Sequence, residues 1–96
     1  MKIRILRQAL QDLAAGRRFY DRQGKRVGDY FFNSLFAEVD SLALYGGIHP
    51  VHFGFHRLLA KRFPYAIYYR VSDDVALVYR VLDCRRDPEH IRNALT

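Results

Sequence analysis

FPYAIYYRVSDDVALVYRVLDCRRDP, residues 63–88, contains two apolar-rich runs on either side of a short polar break. Tyr65–Val71 and Val75–Leu82 are rich in β-branched and aromatic residues at period 2, and Ser72-Asp73-Asp74 separates them. That pattern predicts an antiparallel hairpin. In the first run the odd positions Tyr65, Ile67, Tyr69 and Val71 are apolar or aromatic, and in the second Val75, Leu77, Tyr79 and Val81 are. If both sets share one face, odd residues must pair with odd residues. The loop must then hold an odd number of residues, which excludes a two-residue turn and predicts a three- or five-residue connection. The other face collects Ala66, Tyr68, Arg70, Val78, Arg80 and Leu82, read as an open, partly wet groove. The second run delivers the basic pair Arg85-Arg86 to its end, where a sheet can hold cations against a polyanion.

Working outward, Pro64 opens the first strand, where a missing donor is tolerated. Phe55–Ala60 reads as a further strand, and His49–Gly54 as irregular around Pro50. Upstream, Phe32, Leu35, Phe36, Val39, Leu42 and Ala43 form an i, i+3, i+4 stripe. This predicts a helix capped by Asp29 and stopped by Gly46-Gly47. Leu10, Leu13, Ala14 and Arg17 have helical spacing, giving a helix over Ala9–Arg22 that Gln23-Gly24 ends. The short connection predicts an antiparallel helical hairpin. Lys2–Arg7 alternates as a strand, with Ile3 and Ile5 on one side. Pro88 behind Asp87 suits the first turn of a terminal helix over Glu89–Leu95. The expected fold is α+β: a two-helix hairpin packed on one face of a small, mainly antiparallel sheet, in the order β-α-α-β-β-β-α.

Ninety-six residues, half of them apolar, predict one domain over 1–96 with one core. No apolar run approaches the roughly 20 residues of a membrane span. The lone Cys84 makes no intrachain disulfide, which suits a reducing cytoplasm. Sixteen Lys and Arg against ten Asp and Glu leave a net charge of +6. No acid occurs between Asp40 and Asp73, yet Arg57, Lys61, Arg62, Arg70 and three histidines do. The first eleven residues are also acid-free and hold Lys2, Arg4 and Arg7. If the two segments form adjacent strands, positive charge gathers on the sheet and attracts phosphate or an acidic protein.

Gly-rich phosphate loops, nucleophile elbows and zinc-like cysteine pairs are missing. His49, His52 and His56 read as capping or packing residues rather than metal ligands, and Cys84 as a small strand-end residue despite two neighbouring arginines able to lower a thiol pKa. What remains is cations near strand ends: Arg57, Lys61, Arg62, Arg80, Arg85 and Arg86. Such groups bind phosphate. They also stabilise the phosphorane formed when an RNA 2′-hydroxyl attacks its own phosphate. That reaction needs a base and an acid but no metal. His90, Lys61 or a tyrosine are the candidate proton carriers.

Over essentially its whole length the chain resembles the RelE/ParE superfamily of bacterial type II toxins. The resemblance rests on DYFFNSLFAEVDSL (residues 29–42), RFPYAIYYRV (62–71) and VYRVLDCRRDP (78–88), with the flanking strand and terminal helix. It implies a small basic toxin, associated with plasmid stabilization, held inactive in a hetero-oligomer with a cognate acidic antitoxin. Cofactors are not implied. RelE-like members cut messenger RNA in the ribosomal A site, whereas ParE-like members poison DNA gyrase. Arg57, Lys61, Arg62 and Arg85 lie where basic site residues are expected, with Arg86 beside them. Many relatives carry a His before the Arg-Arg pair; here it is Asp83-Cys84, and Ile91 replaces a frequent aromatic, leaving His90 as the substitute. The resulting expectation is ribosome-dependent, metal-independent messenger-RNA cleavage, ahead of gyrase inhibition and of a non-toxic binding module.

Overall fold

A computed structural model describes residues 1–96. The closing hairpin forms from β4 (Tyr65–Ser72) and β5 (Val75–Asp83), but through the two-residue turn that the parity of the apolar positions excluded. Asp73 and Asp74 have φ of 50° and 60°, the positive values a primed turn needs at both central positions. Aspartate tolerates that region because its short polar side chain bonds locally. Beside the turn Ser72 pairs with Val75, Val71 with Ala76, and Tyr69 with Val78, so odd faces even. The register then shifts between Tyr68 and Tyr69, after which Tyr68 pairs with Arg80 and Ile67 with Val81. Tyr79 is the extra residue of a β-bulge, and it inverts the facing of everything after it. The core side of β5 is therefore Ala76, Val78 and then Val81, not Val75, Leu77 and Tyr79.

Five strands make one sheet in the order β1-β5-β4-β3-β2. β1 (Lys2–Ile5) runs parallel to β5, and β3 (Phe55–Leu59) antiparallel to β4. The residues around Pro50 are not wholly irregular: Val51–His52 form a two-residue edge strand, β2, paired to β3. The acid-free N-terminal strand lies at the opposite edge from β2 and β3, so the two basic segments are not adjacent as expected.

Helices α1 (Arg7–Asp21) and α2 (Val27–Asp40) pack antiparallel on one face. Their close crossing depends on small residues: a methyl on Gly16 would come within 2.5 Å of the Phe31 ring. α2 starts after Arg26, held at φ 67°, and not at Asp29. Asp29 sits in the first turn, where it pairs with Arg17 and complements the helix dipole. The second helix breaks before Gly46-Gly47, at Ser41, whose hydroxyl donates to the Glu38 carbonyl at 2.6 Å. A further helical turn, α3 (Leu42–Tyr45), then ends at Gly46.

Ala9, Leu13, Phe31, Leu35, Val39 and Leu42 from the helices bury against Ile67, Tyr69, Ala76 and Val78 of the sheet. The opposite face is not an open groove throughout. Terminal helix α4 (Pro88–Ala94), capped by Asp87 accepting from His90 N at 2.9 Å, lays Ile91 onto Phe55, Ala66, Tyr68 and Leu82. No helix is long and apolar enough to cross a membrane.

Candidate functional site

β1 covers β5 only as far as Val78, so the strand's last residues form a free sheet edge beside α1. Asp12 of α1 fills the gap. Its carboxylate accepts from the Val81 backbone N–H at 2.9 Å and from Arg80 Nε and Nη2 at 2.8 and 2.9 Å. Arg80 Nη1 donates to the Ala94 carbonyl at 3.0 Å, tying α4 to the same point. The Asp12 bond raises the Arg80 pKa above its ordinary value, so the guanidinium end of this forked pair stays charged.

Past this pair a trough of about 630 Å³ opens along the end of β5. Ala15 and Gly16 leave it room, Phe19 and Tyr65 give it apolar walls, and Arg85, Arg86 and His90 line it as well. With Arg80, the structure thus brings together four of the seven residues nominated from sequence. Arg85 is not free, however. Its Nε and Nη2 donate to the two carboxylate oxygens of Asp83 at 2.9 and 2.7 Å. Of the cations nominated near strand ends, Arg80 and Arg85 are therefore already neutralised. Two acids of the same chain hold them, and Arg86 is in no ion pair.

Local electrostatics leave few groups able to move a proton near neutral pH. The Arg85 bond holds the Asp83 carboxyl below its ordinary value, making it a weak base. Burial, aided by Asp83, pushes the Tyr65 phenol up to about 12. Burial also raises the Cys84 thiol, Arg57 opposing it only partly, so Cys84 is not the activated thiol its neighbouring arginines suggested. His90 is the only imidazole lining the trough.

Arg57, Lys61 and Arg62 lie elsewhere. Arg57 sits on the sheet's other face, opposite Tyr68, whose hydroxyl burial raises more than Arg57 lowers it. Lys61 and Arg62 are exposed in the turn between β3 and β4, where the Lys61 N–H donates to Glu38 at 2.7 Å. The histidines pack at the β2 edge. His49 Nδ1 meets the Tyr69 hydroxyl, and His56 Nδ1 donates to the His49 carbonyl at 2.7 Å. Sequence reasoning missed Asp12, Phe19 and Tyr65. Asp12 carried one usable signal, as the only acid in the first twenty residues of a basic segment.

The model of the ParE toxin of type II toxin-antitoxin systems, parDE, matches residues 3–88. Among solved structures, a chain of a chromosomal ParDE TA system from P. aeruginosa superposes with a TM-score of 0.74 at 23% identity. The match covers 84% of this chain and 92% of that one, and it is a likeness of fold. No curated protein matches.

Proposed function

The chain belongs to the ParE toxin family of type II toxin-antitoxin systems, and from that premise we propose that it arrests growth by binding DNA gyrase through the trough at the end of β5, without chemistry of its own. An antitoxin partner follows from the family. One observation carries the choice of target. The trough offers a single imidazole, His90, while Arg80 and Arg85 are already held by Asp12 and Asp83. RNA cleavage by a 2′-hydroxyl needs both a base and an acid, with uncommitted positive charge between them. A protein-binding surface needs neither. It needs an aromatic anchor such as Phe19, a charged rim such as Arg86, and fixed geometry, which the two ion pairs supply.

Ribosome-dependent messenger-RNA cleavage is the second reading, favoured by the convergence of Arg85, Arg86 and His90 in one trough. Induced expression separates the two. Gyrase inhibition predicts a DNA-damage response with transcripts intact by primer extension. New transcript ends within minutes of induction, with the damage reporter silent, would reverse the order.

A further inference from the structure

Exposed apolar side chains concentrate where α3 hands over to β2. Leu44 is 83% exposed, Ile48 71% and Val51 60%, with Tyr45 and Phe53 about half exposed beside them. The segment that carries them is held in place from beneath. Gly47 N–H donates to the Tyr69 hydroxyl at 2.9 Å, Ile48 N–H to the Tyr45 carbonyl at 3.3 Å, and Val51 pairs with His56. A fixed backbone therefore presents these side chains to water. Phe53 adds a second sign. It sits at φ 56° in the turn between His52 and Phe55, a left-handed conformation that is strained for a bulky aromatic. Asn or Gly would satisfy that turn, so the fold alone does not call for an exposed ring there. Exposed apolar side chains gathered on one fixed segment of chain in this way mark a binding site.

We propose that this corner docks the cognate antitoxin, through an amphipathic segment that carries both apolar side chains and carboxylates. The proposal rests on reading the chain as the toxin of such a pair. Charge selects the occupant. The whole corner lies within the stretch between Asp40 and Asp73 that contains no acid. The basic and titratable groups along it include Arg70, whose Nε donates to the Gly54 carbonyl at 3.0 Å, the rings of His49, His52 and His56, and the Met1 ammonium on the Ala43 carbonyl, with the Asp73-Asp74 turn following Val71 at its border. Glu38, an acid whose charge acts on His49, is engaged by the Lys61 N–H. A second copy of this chain would set cation against cation between molecules of net charge +6. An acidic segment would meet complementary potential. Val51 is on the β2 edge strand, and none of these apolar residues lines the trough beside β5, so the two surfaces are separable by mutation. A partner anchored at the corner raises its own effective concentration at the trough.

The test uses the full chain and the small acidic protein encoded by the adjacent reading frame. Their affinity is measured by calorimetry for wild type, for Ile48→Asp combined with Val51→Asp, and for Arg86→Ala. The double variant is expected to bind at least tenfold more weakly, while retaining its thermal midpoint and its growth arrest on induction. Arg86→Ala is expected to bind within a few-fold of wild type. A folded, toxic double variant that loses less than tenfold overturns the docking site. So does a wild-type dimer that the double variant dissociates, since the occupant is then a second copy. The toxin reading fails differently: wild type neither arrests growth nor binds the acidic protein.

Discussion

The trough beside β5 and the corner at β2 are built on opposite principles. At the trough, cations line a groove, but Asp12 and Asp83 hold Arg80 and Arg85 in forked bonds that fix their positions. At the corner, apolar side chains stand in water with no acid in the local chain to answer the basic groups around them. The trough is stiff, with two of its three arginines already paired; the corner is held from below and unsatisfied above. A surface on which Arg80 and Arg85 are already paired gains little more from them, so recognition there depends on shape and on the unpaired Arg86. A surface with exposed apolar area and unanswered charge gains from both terms.

Mutations at the two sites should differ most in stability. Asp12→Ala removes the partner of Arg80 and of the Val81 N–H together, and should destabilise by about 3 kcal/mol. Thermal unfolding should then show a midpoint lower by roughly 10–20 °C. An unchanged midpoint would mean the trough wall does not depend on that carboxylate. Gly16→Ala, which forces a methyl to 2.5 Å from the Phe31 ring, should cost about 2 kcal/mol by overpacking under the same groove. At the corner, Phe53→Asn should instead stabilise the chain by about 1 kcal/mol, because it relieves the left-handed strain. That gain should come with weaker antitoxin binding, and denaturant midpoints beside calorimetry would read both. Ile48→Ser, at a position mostly exposed, should move stability by less than about 0.5 kcal/mol.

Acid should act on the two regions in sequence. Burial first, and then His56, hold His49 below the ordinary histidine value of 6.5, so the unfolded chain binds a proton that the folded chain refuses. Stability contributed there is present above pH 6.5 and is lost as pH falls through the folded value. Asp83 is held below its ordinary 3.8 by Arg85, so its contribution persists to lower pH and disappears only beneath that value. Amide exchange followed from pH 7 to pH 3 should loosen the β2 corner before the end of β5. The reverse order would contradict the assignment of these groups.

The helical hairpin, the terminal helix with its Asp87 cap and the closing β-ribbon were legible in sequence because each follows a local period or capping rule. The register of the ribbon was not. Parity of the apolar positions assumed a regular ladder, and a single bulge at Tyr79 lets an even turn and an odd core face coexist. Strand neighbours were also hidden, since nothing in Lys2–Ile5 indicates that it joins β5 at the edge away from β3. At the site, Arg85, Arg86 and His90 were legible as cations and a proton carrier near a strand end. Their neutralisation was less so. Asp83 stands two residues from Arg85, but the link from Asp12 to Arg80 spans 68 residues and only the fold reveals it. The corner left a trace of a different sort: Leu44, Ile48 and Val51 are apolar residues that no helical or strand period claims.

Supercoiling of relaxed plasmid by purified gyrase, titrated with this chain and with its Arg86→Ala variant, tests the central claim most directly. Wild type is expected to inhibit in a dose-dependent way, with the variant needing about tenfold more protein for the same effect. Full supercoiling at every dose of a folded, growth-arresting wild type would contradict it.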